Sequence, residues 1–347
     1  MKFSNNFAIN FIFFTLSFLV LLPVFFINYR LTAFHTLPFD SYQAFIISMD
    51  GQDKAFQFYA PTGYRMLYIS VAYLFYKYMP FVSLSQLDAG ADFFQVKALQ
   101  SLAFTSFLFL NLFYCTTFLY VQRKVKKSFI LSLAAASVCL LLSLSMYHFG
   151  IDPLYLFYTT LLLYFIDNKA VFIPLLLFSI VVNEKISLIF LVFFSIAVLS
   201  KGSRSASYLR LAASIAAFAL YFLMKIVLKF PGYEYQADVT AFYDRMVISL
   251  PYLTSFKGFY LNILPLLLLT SVAICAARMK VLEYTSLLRH RAVIFLPAVF
   301  FVLGVHACSD YGIGRAAMHA LPFFIAPIAC ILDKINTNPD GGETQYL

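Results

Sequence analysis

The sequence predicts an all-α fold: a polytopic membrane protein of about ten transmembrane helices, with one further helix at the outer leaflet. Three observations predict it. Of the 347 residues, 62% are hydrophobic and 12% charged, about half the charge of an average soluble domain. Apolar runs close to the roughly 20 residues needed to span a bilayer core recur along the whole chain. Short basic clusters punctuate them: Arg123/Lys124/Lys126/Lys127, Lys201/Arg204/Arg210 and Arg278/Lys280/Arg289/Arg291. In a soluble protein the net charge of +9 would point to nucleic acid. At helix ends the same residues orient the chain and bind anionic headgroups, so membrane lipids are the expected partners and nucleic acid is not.

The elements follow in order. The first run, 8–28, stands behind Lys2. It is long for a signal-peptide core and no small-x-small cleavage site follows it, so it reads as a retained helix. The spans after it are 97–120, 128–147, 153–167, 170–183, 186–200, 208–228, 256–277, 292–307 and 316–333. Segment 64–82 is apolar but carries Arg65 and Lys77. It reads as a helix lying at, or dipping into, the outer leaflet within a long outer loop, 29–96. A single helix over 170–200 would be about 46 Å long, too long for a core of about 30 Å. Two helices of about 21–23 Å, turning at Asn183-Glu184-Lys185, fit better. That turn is then sunk below the outer surface, where charge and polar backbone need a wet cavity or a protein lining.

Parity supports this count. With both termini cytoplasmic, 14 of 25 Lys and Arg but only five of 16 acids lie inside, leaving the inner side at +9 and the outer side neutral. Residues 1–335 form one transmembrane domain, and 336–347 read as a disordered cytoplasmic tail. The outer segments are 29–96, 148–152, 183–185, 229–255 and 308–315, and chemistry is expected there.

Common chemistries lack their motifs. No phosphate-cradling Gly loop and no G-x-S-x-G occurs, and the five cysteines show no C-x-x-C. Nothing calls for a cofactor. A metal site can be drawn from His148, His306 and Asp310, but without supporting spacing. These histidines, with His319, read as interfacial groups making ordinary hydrogen bonds.

The outer charges carry more. Asp40, Asp152, Glu184 and Asp310 share the outer side with Arg65, Lys185 and Arg315. Carboxylates facing bases across a cavity suit a reaction with an anionic leaving group. One carboxylate takes a proton from an acceptor hydroxyl, while Arg or Lys holds phosphate oxygens. The plainer reading is that such loop charges are solvated or paired with one another. Asp50 and Asp53 belong to the same outer set.

The order of these pieces resembles the GT-C type of membrane glycosyltransferases, in their bacterial, polyprenyl-phosphate-sugar-dependent members. Phe39-Asp40-Ser41-Tyr42 looks like the start of their first outer loop. Ala60-Pro61-Thr62-Gly63-Tyr64-Arg65-Met66-Leu67 is similar to the segment opening their outer-leaflet helix. Asp152-Pro153-Leu154-Tyr155 resembles their second outer loop, and Asn183-Glu184-Lys185-Ile186-Ser187-Leu188 a Glu-then-apolar run. Arg315 with Leu321-Pro322-Phe323-Phe324 is similar to their late Arg…Pro-Phe segment.

The resemblance implies a plasma-membrane (bacterial inner membrane) enzyme of the cell envelope. It would transfer sugar from a polyprenyl-phosphate donor to a lipid-linked or small acceptor on the outer leaflet. Asp40 would be the general base, with Asp152 and Glu184 as the other catalytic acids. Tyr64, Arg65, Lys185, Asp310 and Arg315 would bind substrate, the arginines through lipid phosphate. No clear Asp-x-Asp is present, so no metal is assigned, and no large outer domain offers a platform for a peptide acceptor. A transporter or flippase of a lipid-linked or anionic solute is the alternative, and a scaffold subunit without chemistry is a third.

Overall fold

The computed structural model describes residues 46–51, 65–79, 93–143, 151–199, 205–228, 255–279, 292–307 and 313–337, with single positions at 14, 15, 17, 19, 22, 247, 251 and 253. Every regular element among them is helical. In chain order these are α1 (Met66–Tyr78), α2 (Phe93–Arg123), α3 (Phe129–Leu142), α4 (Asp152–Phe165), α5 (Lys169–Phe178), α6 (Glu184–Leu199), α7 (Ser205–Leu228), α8 (Leu264–Arg278), α9 (Ala292–Ala307), α10 (Ile313–Met318) and α11 (Leu321–Thr337). The expected run 8–28 lies almost wholly outside the described residues; the described parts of the later apolar runs are helical close to the expected limits. Among the described residues two segments, Val96–Arg123 and Ser207–Leu228, are long and apolar enough to cross a bilayer. The other long runs give shorter helices, such as the 14 residues of α4 and the 16 of α6.

α2 is the central helix, with α1, α3, α4 and α11 packed around it. The predicted turn at Asn183 is present. α5 tightens into a 3-10 turn over Ser179–Val181, and α6 starts at Glu184. Asn183 caps α6, its Oδ1 accepting the Lys185 N–H at 3.0 Å. α3 is capped in the same way by Ser128, whose hydroxyl accepts from the Leu131 N–H.

α1 runs antiparallel along α2. The Tyr68 hydroxyl donates to the Leu102 carbonyl at 3.1 Å and lies 2.7 Å from Ser106 Oγ, while Lys97 Nζ sits 4.7 Å from the Tyr76 ring centroid. Of the expected segment 64–82, residues 65–79 are described, and their helix lies alongside the first half of α2. Arg65, about one turn before Tyr68, therefore falls near the middle of the 31-residue α2, a helix of about 46 Å.

Described members of all three basic clusters meet at one end of the bundle. Lys124 pairs with Asp167 at 3.2 Å, just past α4, and Arg210 donates to the Ile166 carbonyl at 2.8 Å. Lys127 pairs with Asp333 on α11, and the neighbouring Lys334 donates to the Met279 carbonyl, next to Arg278 at the end of α8. Cations here meet carbonyls left open where helices α4 and α8 end. α4 runs away from Asp152 towards this end, and α5 climbs back from it to Asn183. Asp152 and Glu184 therefore both lie on the opposite side.

Two late elements depart from the simple spans. The run 256–277 opens with a helical turn at Phe256–Gly258 and a π-helix over Phe259–Ile263 before α8. Asn262 accounts for the widening. Its side-chain Nδ2 donates to the Gly258 carbonyl at 3.0 Å, the acceptor that its own N–H would take in an α-helix. The expected single span 316–333 is instead two helices, α10 and α11, broken at His319-Ala320. Pro322 has no N–H for the Met318 carbonyl, and tight three-residue turns replace the α bonds: His319 N–H to Ala316 and Ala320 N–H to Ala317. α11 then carries helix to Thr337, two residues into the expected tail.

Candidate charged site at the Asn183 turn

Arg65 precedes α1 and Glu184 is the first residue of α6, and the hairpin apex brings them together. Nη2 of Arg65 lies 2.8 Å from Oε1 of Glu184, and Nε lies 3.4 Å from Oε2. The two-point geometry holds the guanidinium in one orientation. Both side chains are mostly covered, at 13% and 22% exposure. Two features favour the anion here: the positive end of the α6 dipole and the adjacent guanidinium. Burial pushes the Glu184 carboxyl up, but Arg65, with a smaller contribution from Lys185, overcomes it and holds the carboxyl down at about 2. A carboxylate this acidic is a poor proton acceptor and a good anchor for a cation. Lys185 follows on the same turn, half-buried.

A second polar pair closes the same side of the bundle. Asp152, the first residue of α4, is 1% exposed, and His319, at the break between α10 and α11, is fully buried. His319 Nε2 stands 3.8 Å from Asp152 Oδ1, too long for a hydrogen bond. Tyr155, one turn along α4, donates its hydroxyl to the His319 carbonyl at 2.9 Å and sets its ring edge-on to the imidazole at 4.3 Å. Phe300 of α9 stacks on the imidazole at 6.4 Å. Asp152 starts its helix, as a residue just before Pro153 is suited to do, and it is sealed into the core. His319 was read as an interfacial group, and the structure makes it the buried partner of that carboxylate. The signal that could have revealed it is local: His319 sits just before the helix-breaking Leu321-Pro322 step.

The turn at Asn183 thus joins Arg65, Glu184 and Lys185, and Asp152 stands in its own cluster. Asp40, Tyr64 and Asp310 lie outside the described residues. Arg315 lies on α10, with its side chain outside them. Its helix start is fixed by Asn262, whose Oδ1 accepts the Gly314 N–H at 2.9 Å. Among the described residues no three His, Cys, Asp or Glu side chains converge to hold a metal ion. His148, Asp310 and the side chain of His306, from which a metal site could be drawn, lie outside those residues.

Chemically, the turn presents a fixed guanidinium and an ammonium at a helix start, near mid-height of the central helix. Such a group suits an anion with several oxygens. Neither a family model, nor a curated protein, nor a solved structure matches this chain.

Proposed function

We propose that the chain is a polytopic membrane glycosyltransferase. It moves a sugar from a polyprenyl-phosphate donor to a lipid-linked or small acceptor on the outer leaflet. The observation that carries the reading is the Arg65–Glu184 pair with Lys185, held near the middle of the bundle rather than at a solvated rim. Charge at that depth needs a functional reason in a membrane protein. The membrane setting itself is supported by α7. Only 22% of its most apolar window is buried, against 72% for α2. Leu209, Ile215, Leu223, Ile226 and Val227 on α7 all turn outward. A face of that kind is at home in lipid. The convergence of the three cationic clusters on one end supports an inner face there, opposite the turn.

In this reading Arg65 and Lys185 hold the donor phosphate, and Glu184 fixes Arg65. The acceptor hydroxyl oxygen attacks the anomeric carbon and its proton passes to Asp40. The bond from that carbon to the phosphate oxygen breaks, and the phosphate leaves with the electron pair against the two cations. The test is sugar transfer in membranes supplied with a labelled polyprenyl-phospho-sugar. Arg65→Gln and Asp40→Ala should each lower product formation at least tenfold; undiminished transfer in both would refute the assignment.

A flippase or transporter of a lipid-linked anion is the second reading, favoured by the broken α10–α11 helix and the π-helix before α8. Movement of labelled substrate across proteoliposomes without covalent change would select it.

A further inference from the structure

Beside the ion pair stands a buried donor that no role above uses. Asn183 is 1% exposed. Its Oδ1 is committed to the Lys185 N–H at 3.0 Å, and that bond fixes which way the carboxamide faces. Nδ2, on the same planar group at the mouth of α6, is buried and has no hydrogen-bond partner among the described residues. A buried amide donor left in that state costs the fold stability. Other buried polar atoms lack partners among the described residues, including Asn111 Nδ2 and Thr117 Oγ1 within α2. Asn183 alone among them shares its turn with a clamped guanidinium, a carboxylate and a lysine. A polar group held against its own stability next to a charge cluster is the pattern of a site built for a ligand.

We infer that the Asn183 carboxamide is a phosphate-binding group, its Nδ2 donating to a non-bridging oxygen of a bound phosphate ester alongside Arg65 and Lys185. The chemistry fits. A phosphate carries several acceptor oxygens. Arg65 already spends two of its N–H groups on Glu184, and a neutral donor adds a contact without adding cationic repulsion. The same residue does two jobs at one turn: Oδ1 starts the helix and Nδ2 faces the ligand. Nδ2 is closed from solvent, so the ligand meets it only as its neighbours part. Lipid-borne and soluble phosphate share this chemistry. The inference rests on the proposed function in taking the lipid-borne form as the physiological one.

The test uses the full chain in nanodiscs with three probes: a polyprenyl phosphate, the matching uncharged polyprenol, and inorganic phosphate. Asn183→Ser keeps a capping oxygen and removes the donor; Asn183→Asp keeps the cap and puts a carboxylate where the donor was. Wild type should bind the polyprenyl phosphate and not the polyprenol. Kd should rise about tenfold in Asn183→Ser and further in Asn183→Asp. The ligand-free unfolding midpoint of Asn183→Ser should hold or rise, because an unsatisfied donor has gone, whereas a purely structural asparagine would lower it. Wild-type binding with equal Kd in both variants overturns this inference and leaves the proposed function standing. Binding of inorganic phosphate but not the lipid, with the same loss in the variants, keeps the Asn183 contact and overturns the lipid donor. No binding of either phosphate by wild type overturns both.

Discussion

Separating Arg65 from Glu184 should destabilise the protein by more than a surface ion pair would. An exposed pair contributes about 0–1 kcal/mol, whereas removing one partner of a buried pair costs about 3–5 kcal/mol. With side chains 13% and 22% exposed and two contacts between them, this pair stands nearer the buried limit. Glu184→Gln should therefore cost about 3 kcal/mol. A cycle with Arg65→Gln should return a coupling energy of about 2 kcal/mol. The chain has no tryptophan, so denaturant unfolding in detergent is best followed by far-ultraviolet circular dichroism.

Acid gives a second view of the same pair. The Glu184 carboxyl is lowered from an ordinary 4.5 to about 2, so the unfolded chain binds more protons than the native one between those values. The stability contributed by the pair is complete above pH 4.5 and is lost as pH falls towards 2. Wild type should lose stability through that window, and Glu184→Gln should lose correspondingly less. A coupling energy below about 0.5 kcal/mol, with parallel acid curves for wild type and Glu184→Gln, would refute the reasoning.

Two more predictions follow from other parts of the fold. Asn262→Leu leaves the buried Gly314 N–H without its side-chain acceptor and removes the Nδ2 bond to the Gly258 carbonyl, so unfolding free energy should fall by about 1–3 kcal/mol; a fall under about 0.5 kcal/mol would show that the clamp on α10 is dispensable. Single cysteines at Lys126 and Lys185, in a background without the native cysteines, should react with an impermeant thiol reagent from opposite sides of the membrane; labelling from one side would remove the common outward site.

Much of the helical layout is legible in the sequence, and particular residues show why. Asn183 marks the turn within the run 170–200 because its side chain can cap a following helix. Asp152-Pro153 marks the start of α4 in the same way, proline being suited to the first turn. The breaks at Asn262 and Pro322 also have local causes, but hydropathy averages over them. Asn262 reads as an ordinary polar residue until Gly314 arrives from another helix to occupy its oxygen.

By itself, the sequence determined the all-helical class, the places of the apolar helices and the spacing of the cationic clusters, because those depend on length and on neighbours along the chain. Only tertiary structure decided which charges meet. Arg65 and Glu184 stand 119 residues apart, and Asp152 finds His319 across the helix bundle. A carboxylate's acidity and burial are set by whatever packing places within a few ångströms of it. Two acids that looked alike in outer loops thus became different groups: one clamped to a guanidinium at a turn, the other sealed against an imidazole.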